Sequence, residues 1–211
     1  KKFLQIAAYN PSGNGRAQLS CTTNHPILTP TGWRRAENLR VGDNILISSI
    51  QRLSEFQLQI IRGSILGDGN LSPTASSGIG VRFRLGHAKK QKNYLLWKAD
   101  LFKNISGLIY ETKKEAIKFD LTPLPELHNL YKSVYQNNYK FLSPDFLSQL
   151  TPLSLAIWYQ DDGNLDIRNK NKDRGRIAIC VQAIHPQSRL MIQKLLKERY
   201  DIETRLIVNI R

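Results

Sequence analysis

Hydrophobic and polar positions fall into two regimes along the chain. Over residues 3–47, short apolar runs are broken by the turn clusters Asn10-Pro11-Ser12-Gly13-Asn14-Gly15, Thr29-Pro30-Thr31-Gly32-Trp33 and Val41-Gly42-Asp43. That punctuation predicts β structure with tight turns. The regime changes near residues 48–54. Ser54 is a good helix N-cap with Gln57 three positions later, so residues 55–66 read as a helix ending near Gly67-Asp68-Gly69. Residues 80–85 alternate apolar with basic side chains, which at period two puts Arg82 and Arg84 on one face of a strand and turns the other face to the core. Tyr94, Leu95, Trp97, Leu101 and Phe102 recur at helix-like spacing within residues 90–103, residues 115–121 read as a strand, and residues 123–135 as a helix. The series then recurs: a helix over 152–160 ending at Asp161-Asp162-Gly163, a strand over 175–182, a helix over 186–200 and a last strand over 204–210. This is an α+β chain with an internal duplication. Trp97 and Trp158 are assigned to its core, as residues in helical apolar stripes usually are.

Composition bounds the function. With 41% hydrophobic and 9% aromatic residues over 211 positions, the chain can build one large domain or two small ones around a real core. Lys plus Arg total 31 against 17 Asp plus Glu, a net +14, and a polyanionic partner, nucleic acid first, accounts for that most economically. No apolar run approaches the roughly 20 residues that span a bilayer, and no secretory signal is recognisable, so no membrane role is expected. Cys21 and Cys180 are too few for a disulfide framework and lack zinc-site spacing. They point to a reducing, intracellular setting and to burial as small hydrophobes.

Both helix-to-turn junctions end in Asp-Gly-Asn-Leu, at residues 68–71 and 162–165. A single Asp-Gly is an ordinary turn. Repetition 94 positions apart asks for more, because a helix C-terminus carries partial negative charge and an Asp there is misplaced by a few tenths to about 1 kcal/mol. If the helices pack side by side through Gly63, Ser64, Gly67 and Ala156, the two carboxylates converge and repel unless a cation intervenes. Oxygen ligands favour a hard divalent ion such as Mg²⁺, which activates water and stabilises a phosphodiester's developing charge.

These junctions resemble the two copies of the motif found in single-chain LAGLIDADG homing endonucleases. Residues 61–69 and 155–163 fill the nine motif positions, with Leu66 and Gln160 in place of the first Asp and with Asp68 and Asp162 as the second, catalytic one. The resemblance runs from about Ser54 to the chain end. It implies a pseudo-twofold pair of αββαββα halves, residues 54–150 and 151–211, whose saddle-shaped antiparallel sheets sit in the major groove of double-stranded DNA. It further implies a protein monomeric by internal symmetry, DNA-associated in the cell, that hydrolyses both strands at a long site. Mg²⁺ is the implied cofactor, with Mn²⁺ or Ca²⁺ as substitutes, and the implied metal-site residues are Asp68, Asp162, Gly67 and Asp161. The stretch before the second motif is similar to the branch containing intron-encoded mitochondrial enzymes, and Lys140 takes that branch's active-site lysine position, where a cation polarises water or stabilises phosphate. The family places a further strand, a helix and a second lysine after the position of Arg211, so the second half is expected to be incomplete and Asp162 the weaker catalyst.

The concave sheet face is expected to present Arg82 and Arg84, with His87, Lys89, Lys90 and Lys92 just beyond, and from the second half Arg168, Lys170, Lys172, Arg174, Arg176 and Gln182. Arg suits guanine edges and Gln adenine, while Lys more often meets phosphate. His87, His128 and His185 lack ligand-like partners at helical spacing and are assigned surface or core roles rather than metal binding.

Residues 1–50 resemble part of a Hint domain of inteins, through Cys21-Thr22-Thr23-Asn24-His25-Pro26 followed by Gly32-Trp33 and Val41-Gly42-Asp43. That resemblance implies that Thr22 and His25 are vestiges of a splicing site, where a hydroxyl and an imidazole polarise a scissile peptide. Lys1 and Arg211 supply neither terminal splicing group, so this small all-β segment is expected to support the nuclease or extend its DNA contacts. Two other classes stay open: a DNA- or RNA-binding module of maturase or transcription-factor type on the same fold with impaired catalysis, and a fragment of a splicing element.

Overall fold

The computed structural model describes residues 3–9, 16–46, 52–74, 80–112, 115–137, 139–166 and 175–207. The turn expected over residues 10–15 lies outside them. Strand β1 (Phe3–Tyr9) pairs antiparallel with β2 (Arg16–Thr22), and β3 (Pro26–Thr29) with β4 (Gly32–Arg35). Gly32 closes the second hairpin at φ +115°, a region that glycine enters without steric cost. Thr29 Oγ1 donates to its carbonyl at 2.7 Å. Cys21, Ile27 and Ala36 form a small core there, backed by Leu4, Ile6, Leu39 and Ile45.

Helix α1 (Glu55–Leu66) begins at a reciprocal capping box: Gln57 N donates to Ser54 Oγ at 3.2 Å and Ser54 N to Gln57 Oε1 at 3.0 Å. Then follow β5 (Asn70–Pro73), β6 (Val81–Ala88), α2 (Lys92–Asp100), β7 (Gly107–Glu111), β8 (Ala116–Leu121) and α3 (Pro125–Val134). This is αββαββα. The four strands form one antiparallel sheet in the order β5-β6-β8-β7. Alternation decides its faces: Val81, Phe83, Leu85 and His87 of β6 are buried with Ile117, Phe119 and Leu121 of β8, while Arg82 points away. The buried face packs on α1, on Leu95, Ala99 and Phe102 at α2, and on Leu127, Leu130 and Val134 of α3.

A short hairpin, β9 (Tyr135–Gln136) with β10 (Tyr139–Lys140), and α4 (Pro144–Ser148) lead to the repeat: α5 (Pro152–Asp162), β11 (Gly163–Asp166), β12 (Arg176–Ile179) and α6 (Pro186–Tyr200). Strands β11 and β12 pair antiparallel. Residues 201–207 form no strand, contrary to the expectation over 204–210, whose residues 208–210 lie outside the described set. Asp201 takes a left-handed conformation (φ 53°) at the end of α6, and Thr204 O accepts from Gln193 Nε2 of that helix at 3.1 Å, so this segment is tied to the helix instead of pairing in a sheet.

Two burial expectations also change. Trp97 is 45% exposed and stacks on Tyr94, because the inward stripe of α2 runs through Leu95, Lys98 and Ala99. Cys180 is exposed, since β12 stops at Ile179. Cys21 and Trp158 are buried as expected.

Candidate active site

Helices α1 and α5 pack along a seam that tolerates almost no side chain. A Cβ on Gly63 would lie 2.4 Å from Ser154 O and 2.7 Å from Ile157 Cβ, and one on Gly67 would lie 2.4 Å from Asp161 Cβ. Ser64 is fully buried, but Ala156 is exposed and takes no part; Ser154 is the small residue facing Gly63. Above the glycines a polar cluster locks the register. Gln59 Oε1 accepts from Ser154 Oγ and from Thr151 Oγ1 (3.0 Å), while Gln59 Nε2 donates to Gln149 O at 2.9 Å.

At the lower end the two motif turns meet. Gly69 N donates to Ser64 O at 2.6 Å as the chain leaves α1, so Asp68 stands just past the helix, whereas Asp162 is the last residue of α5. Burial raises the Asp162 carboxyl above its ordinary range; the negative charges of Asp68 and Asp161 add to this and Lys140 opposes it. The two motif carboxylates therefore sense each other, as the packing argument anticipated.

Each helix end also meets a lysine from elsewhere in the chain. Lys140 on β10 donates from Nζ to Ile65 O at 2.7 Å and reaches Gly69 O at 3.4 Å and Gly67 O at 3.5 Å, placing a cation on the negative end of the α1 dipole. Burial lowers its pKa, against the pull of Asp162 and Asp68. Lys98 on α2 donates to Asp161 Oδ1 at 2.6 Å with both side chains entirely buried, and Tyr94 OH donates to the same oxygen at 2.8 Å. Burial pushes Lys98 down and Asp161 up, and their contact pulls both back. Burial also raises the Tyr94 hydroxyl, with Asp161 adding to the effect.

Sequence reasoning placed Tyr94 only in the helical pattern of residues 90–103 and did not single out Lys98. A lysine within the inward stripe Leu95, Ala99 and Phe102 was the available signal. His87 needs a correction on two counts. Strand β6 runs on to Ala88, so parity puts His87 on the core side; it is 3% exposed and off the basic face assigned to it. Its Nδ1 lies 3.3 Å from Asp68 Oδ2, and ligand atoms of Asp68, His87 and Asp161 all fall within 4.8 Å of one another, so it does have ligand-like partners.

On the sheet's outward face Arg82 is exposed and Arg84 Nε lies 3.2 Å from Asp120 Oδ2. Lys89 and Lys92 pair with Glu111 at 3.3 and 3.1 Å, the Lys92 bond first among the contacts that lower the Glu111 carboxyl. Lys90, Arg176 and Gln182 are exposed. Arg168, Lys170, Lys172 and Arg174 lie outside the described residues. Thr22 and His25 share a turn in which His25 N donates to Thr22 O at 3.0 Å; His25 is exposed.

The donor set suits a divalent cation. Asp68 and Asp162 bring two mutually repelling carboxylates together, and Asp161 Oδ2 is buried without a hydrogen-bond partner. Among the described residues no helix is long and apolar enough to cross a membrane.

Comparison with known proteins agrees with this architecture. Residues 58–209 match the model of the LAGLIDADG DNA endonuclease family. The chain is 45% identical over 213 residues to a protein named Protein RecA from Mycolicibacterium chitae, covering 98% of this chain and 50% of that protein. It thus spans about half the length of that relative. It is 31% identical over 172 residues to the DNA endonuclease I-ChuI of Chlamydomonas applanata, covering 73% of this chain and 77% of the relative. The homing endonuclease I-WcaI, solved bound to its DNA recognition sequence, shares the fold with a TM-score of 0.58 at 18% identity, over 72% of this chain and 70% of that one. With its duplicated Asp-Gly turns at one end of a glycine seam and a family match over most of its length, the chain belongs to the LAGLIDADG DNA endonuclease family.

Proposed function

We propose that this chain is a sequence-specific, divalent-metal-dependent double-strand DNA endonuclease in which Asp68 and Asp162 hold the metal and Lys140 supplies a fixed positive charge. The observation that carries the reading is the convergence of the two motif turns at one end of the α1–α5 seam. When bound there, Mg²⁺ or Mn²⁺ supplies the charge that activates water and stabilises the developing phosphodiester charge, and Ca²⁺ holds a non-cleaving complex. The protein's own residues do the rest. The Asp68 side chain is 36% exposed and meets an incoming phosphate. Lys140, held by three carbonyls of the α1 terminus, needs no reorganisation to oppose negative charge. Arg82, Lys90, Arg176 and Gln182 are free to face the major groove, and Arg84 to do so after releasing Asp120. Lys89 is shared with Glu111 and suits phosphate.

Residues 54–150 and 151–211 are the two halves in this reading, which makes the protein a monomer by internal pseudo-symmetry. Residues 1–50 are the partial Hint segment, and the match of 98% of this chain to half of a RecA-named protein supports an intein carried in a precursor of that kind. Such a protein works inside the cell on DNA. The test is a duplex carrying the uninterrupted host-gene junction, incubated with the protein in Mg²⁺ and in EDTA. Both strands are cut in Mg²⁺ and neither in EDTA. Binding without cleavage in both Mg²⁺ and Mn²⁺ overturns the enzyme reading and leaves a DNA-binding module.

A further inference from the structure

The carboxylate pair Asp68 and Asp162 makes no use of His87, whose buried ring stands beside the unpartnered oxygen of Asp161. Both ring nitrogens of His87 and Oδ2 of Asp161 lack hydrogen-bond partners, although the His87 side chain and the Asp161 side chain are both 0% exposed. Leaving such groups buried and unpaired is destabilising. An ion pair between His87 Nδ1 and Asp68 Oδ2, 3.3 Å apart, relieves the first nitrogen only and does nothing for Asp161. Lys98 and Tyr94 both take Asp161 Oδ1, so Oδ2 is left facing the cluster with its position already fixed.

We propose that Asp68, His87 and Asp161 form a mixed nitrogen and oxygen site for a borderline divalent transition ion of the Co²⁺ or Zn²⁺ class, different in composition from the carboxylate pair Asp68 and Asp162. Ligand atoms of the three residues lie within 4.8 Å of one another. In a tetrahedral site with bonds of about 2.0–2.2 Å, neighbouring donors stand about 3.3–3.6 Å apart, so side-chain rotation closes the cluster to complete the site. Asp68 is the side chain able to make it, being 36% exposed, and its open side is the route of entry. Imidazole selects the class: a neutral ring nitrogen suits transition ions, whereas Mg²⁺ and Ca²⁺ prefer oxygen throughout. Lys98 on the far oxygen of Asp161 orients that carboxylate as outer partners of metal ligands do. The inference shares Asp68 with the proposed nuclease centre, so an ion held here competes with Mg²⁺ for that carboxylate.

The experiment is a Co²⁺ titration of the full chain without DNA, followed by visible d–d absorption, and a Zn²⁺ titration followed by NMR of ¹⁵N-labelled histidine. The chain has four histidines, so the His87 signals are assignable from variants of the other three. One equivalent of Co²⁺ gives d–d bands, and one equivalent of diamagnetic Zn²⁺ moves a His87 ring nitrogen to the position of a metal-bound imidazole, a change that proximity alone does not give. His87→Gln weakens Co²⁺ binding about 10-fold or more, since losing a ligand costs at least as much as losing an outer-sphere partner. Asp162→Asn retains the His87 response. If Co²⁺ does not bind, if Zn²⁺ leaves both His87 ring nitrogens unmoved, or if Asp162→Asn abolishes their response, the proposal fails. Should His87→Gln not fold, the histidine spectrum of the unsubstituted protein decides alone. Mg²⁺-dependent cleavage of the same preparation tests the nuclease reading separately: its loss leaves the Co²⁺ response intact, and the reverse holds.

Discussion

The Asp68 and Asp162 turns carry the same four letters, Asp-Gly-Asn-Leu, at equivalent ends of paired helices, yet the chain neutralises them by different means. At the first, the helix has already ended, and Lys140 caps its free carbonyls while the carboxylate leans towards His87. At the second, the helix runs through Asp162, and the neighbouring Asp161 is held in the core by Lys98 and Tyr94 from the first half. Part of the cation that the helix-dipole argument demands is thus provided by the protein. The duplication preserves the chemistry-bearing carboxylate, while both lysines, Lys140 and Lys98, come from the chain before α5.

The comparison breaks most dramatically at Lys98. Lys98→Met leaves the buried Asp161 carboxylate with the Tyr94 hydroxyl but no counter-charge, and breaking a buried pair from one side costs about 3–5 kcal/mol, read as a lower urea midpoint. Lys98→Met with Asp161→Leu recovers most of it, because replacing both charges with packed apolar groups is close to neutral. A midpoint that does not move in the single variant means that the pair is not what holds the second turn.

Next in size is the seam. Gly67→Ala drives a methyl to within 2.4 Å of Asp161 Cβ, and overpacking of this kind costs about 1–3 kcal/mol. The same substitution displaces the Asp161–Lys98 contact, so thermal melts and cleavage both suffer.

The smallest effect has the opposite sign. Asp162 has a raised pKa. A carboxyl raised in the folded state stabilises the fold below the unfolded pKa, near 4, and that stability is lost as pH rises through the folded pKa. At neutral pH without metal, Asp162→Asn therefore raises Tm, by less than the roughly 2–4 °C that 1 kcal/mol gives in a chain of this size, because the carboxylate is partly exposed and screened by solvent. At pH 3 the gain is absent. A lower Tm at neutral pH contradicts the mutual repulsion of the motif carboxylates.

Much of the fold was legible in local signals. The Ser54 and Gln57 pairing marked the start of α1, Pro186 the start of α6, and the alternation at residues 81–85 the two faces of β6. The glycine seam was legible in part: Gly63 and Gly67 followed from the motif, but Ala156 did not, because the motif's second position faces outward on α5. Lys98 and His87 were harder to read. A lysine or a histidine in an apolar stripe says nothing about its partner, and here those partners lie 63 residues along the chain at Asp161 and in the preceding turn at Asp68. Trp97 misled for a related reason: period 3.6 is loose over nine residues, and one step of rotation exchanges the inward Lys98 for the outward Trp97.

The central claim is that Asp68 and Asp162 act as one centre, and strand-resolved nicking of a duplex carrying the uninterrupted host-gene junction tests it most directly. With Mg²⁺, the unsubstituted protein cuts both strands, and Asp68→Asn or Asp162→Asn alone lowers cutting of both by about 10³-fold, at least as much as the loss of a single stabilising donor. A variant that still nicks either strand at the unsubstituted rate contradicts the shared centre.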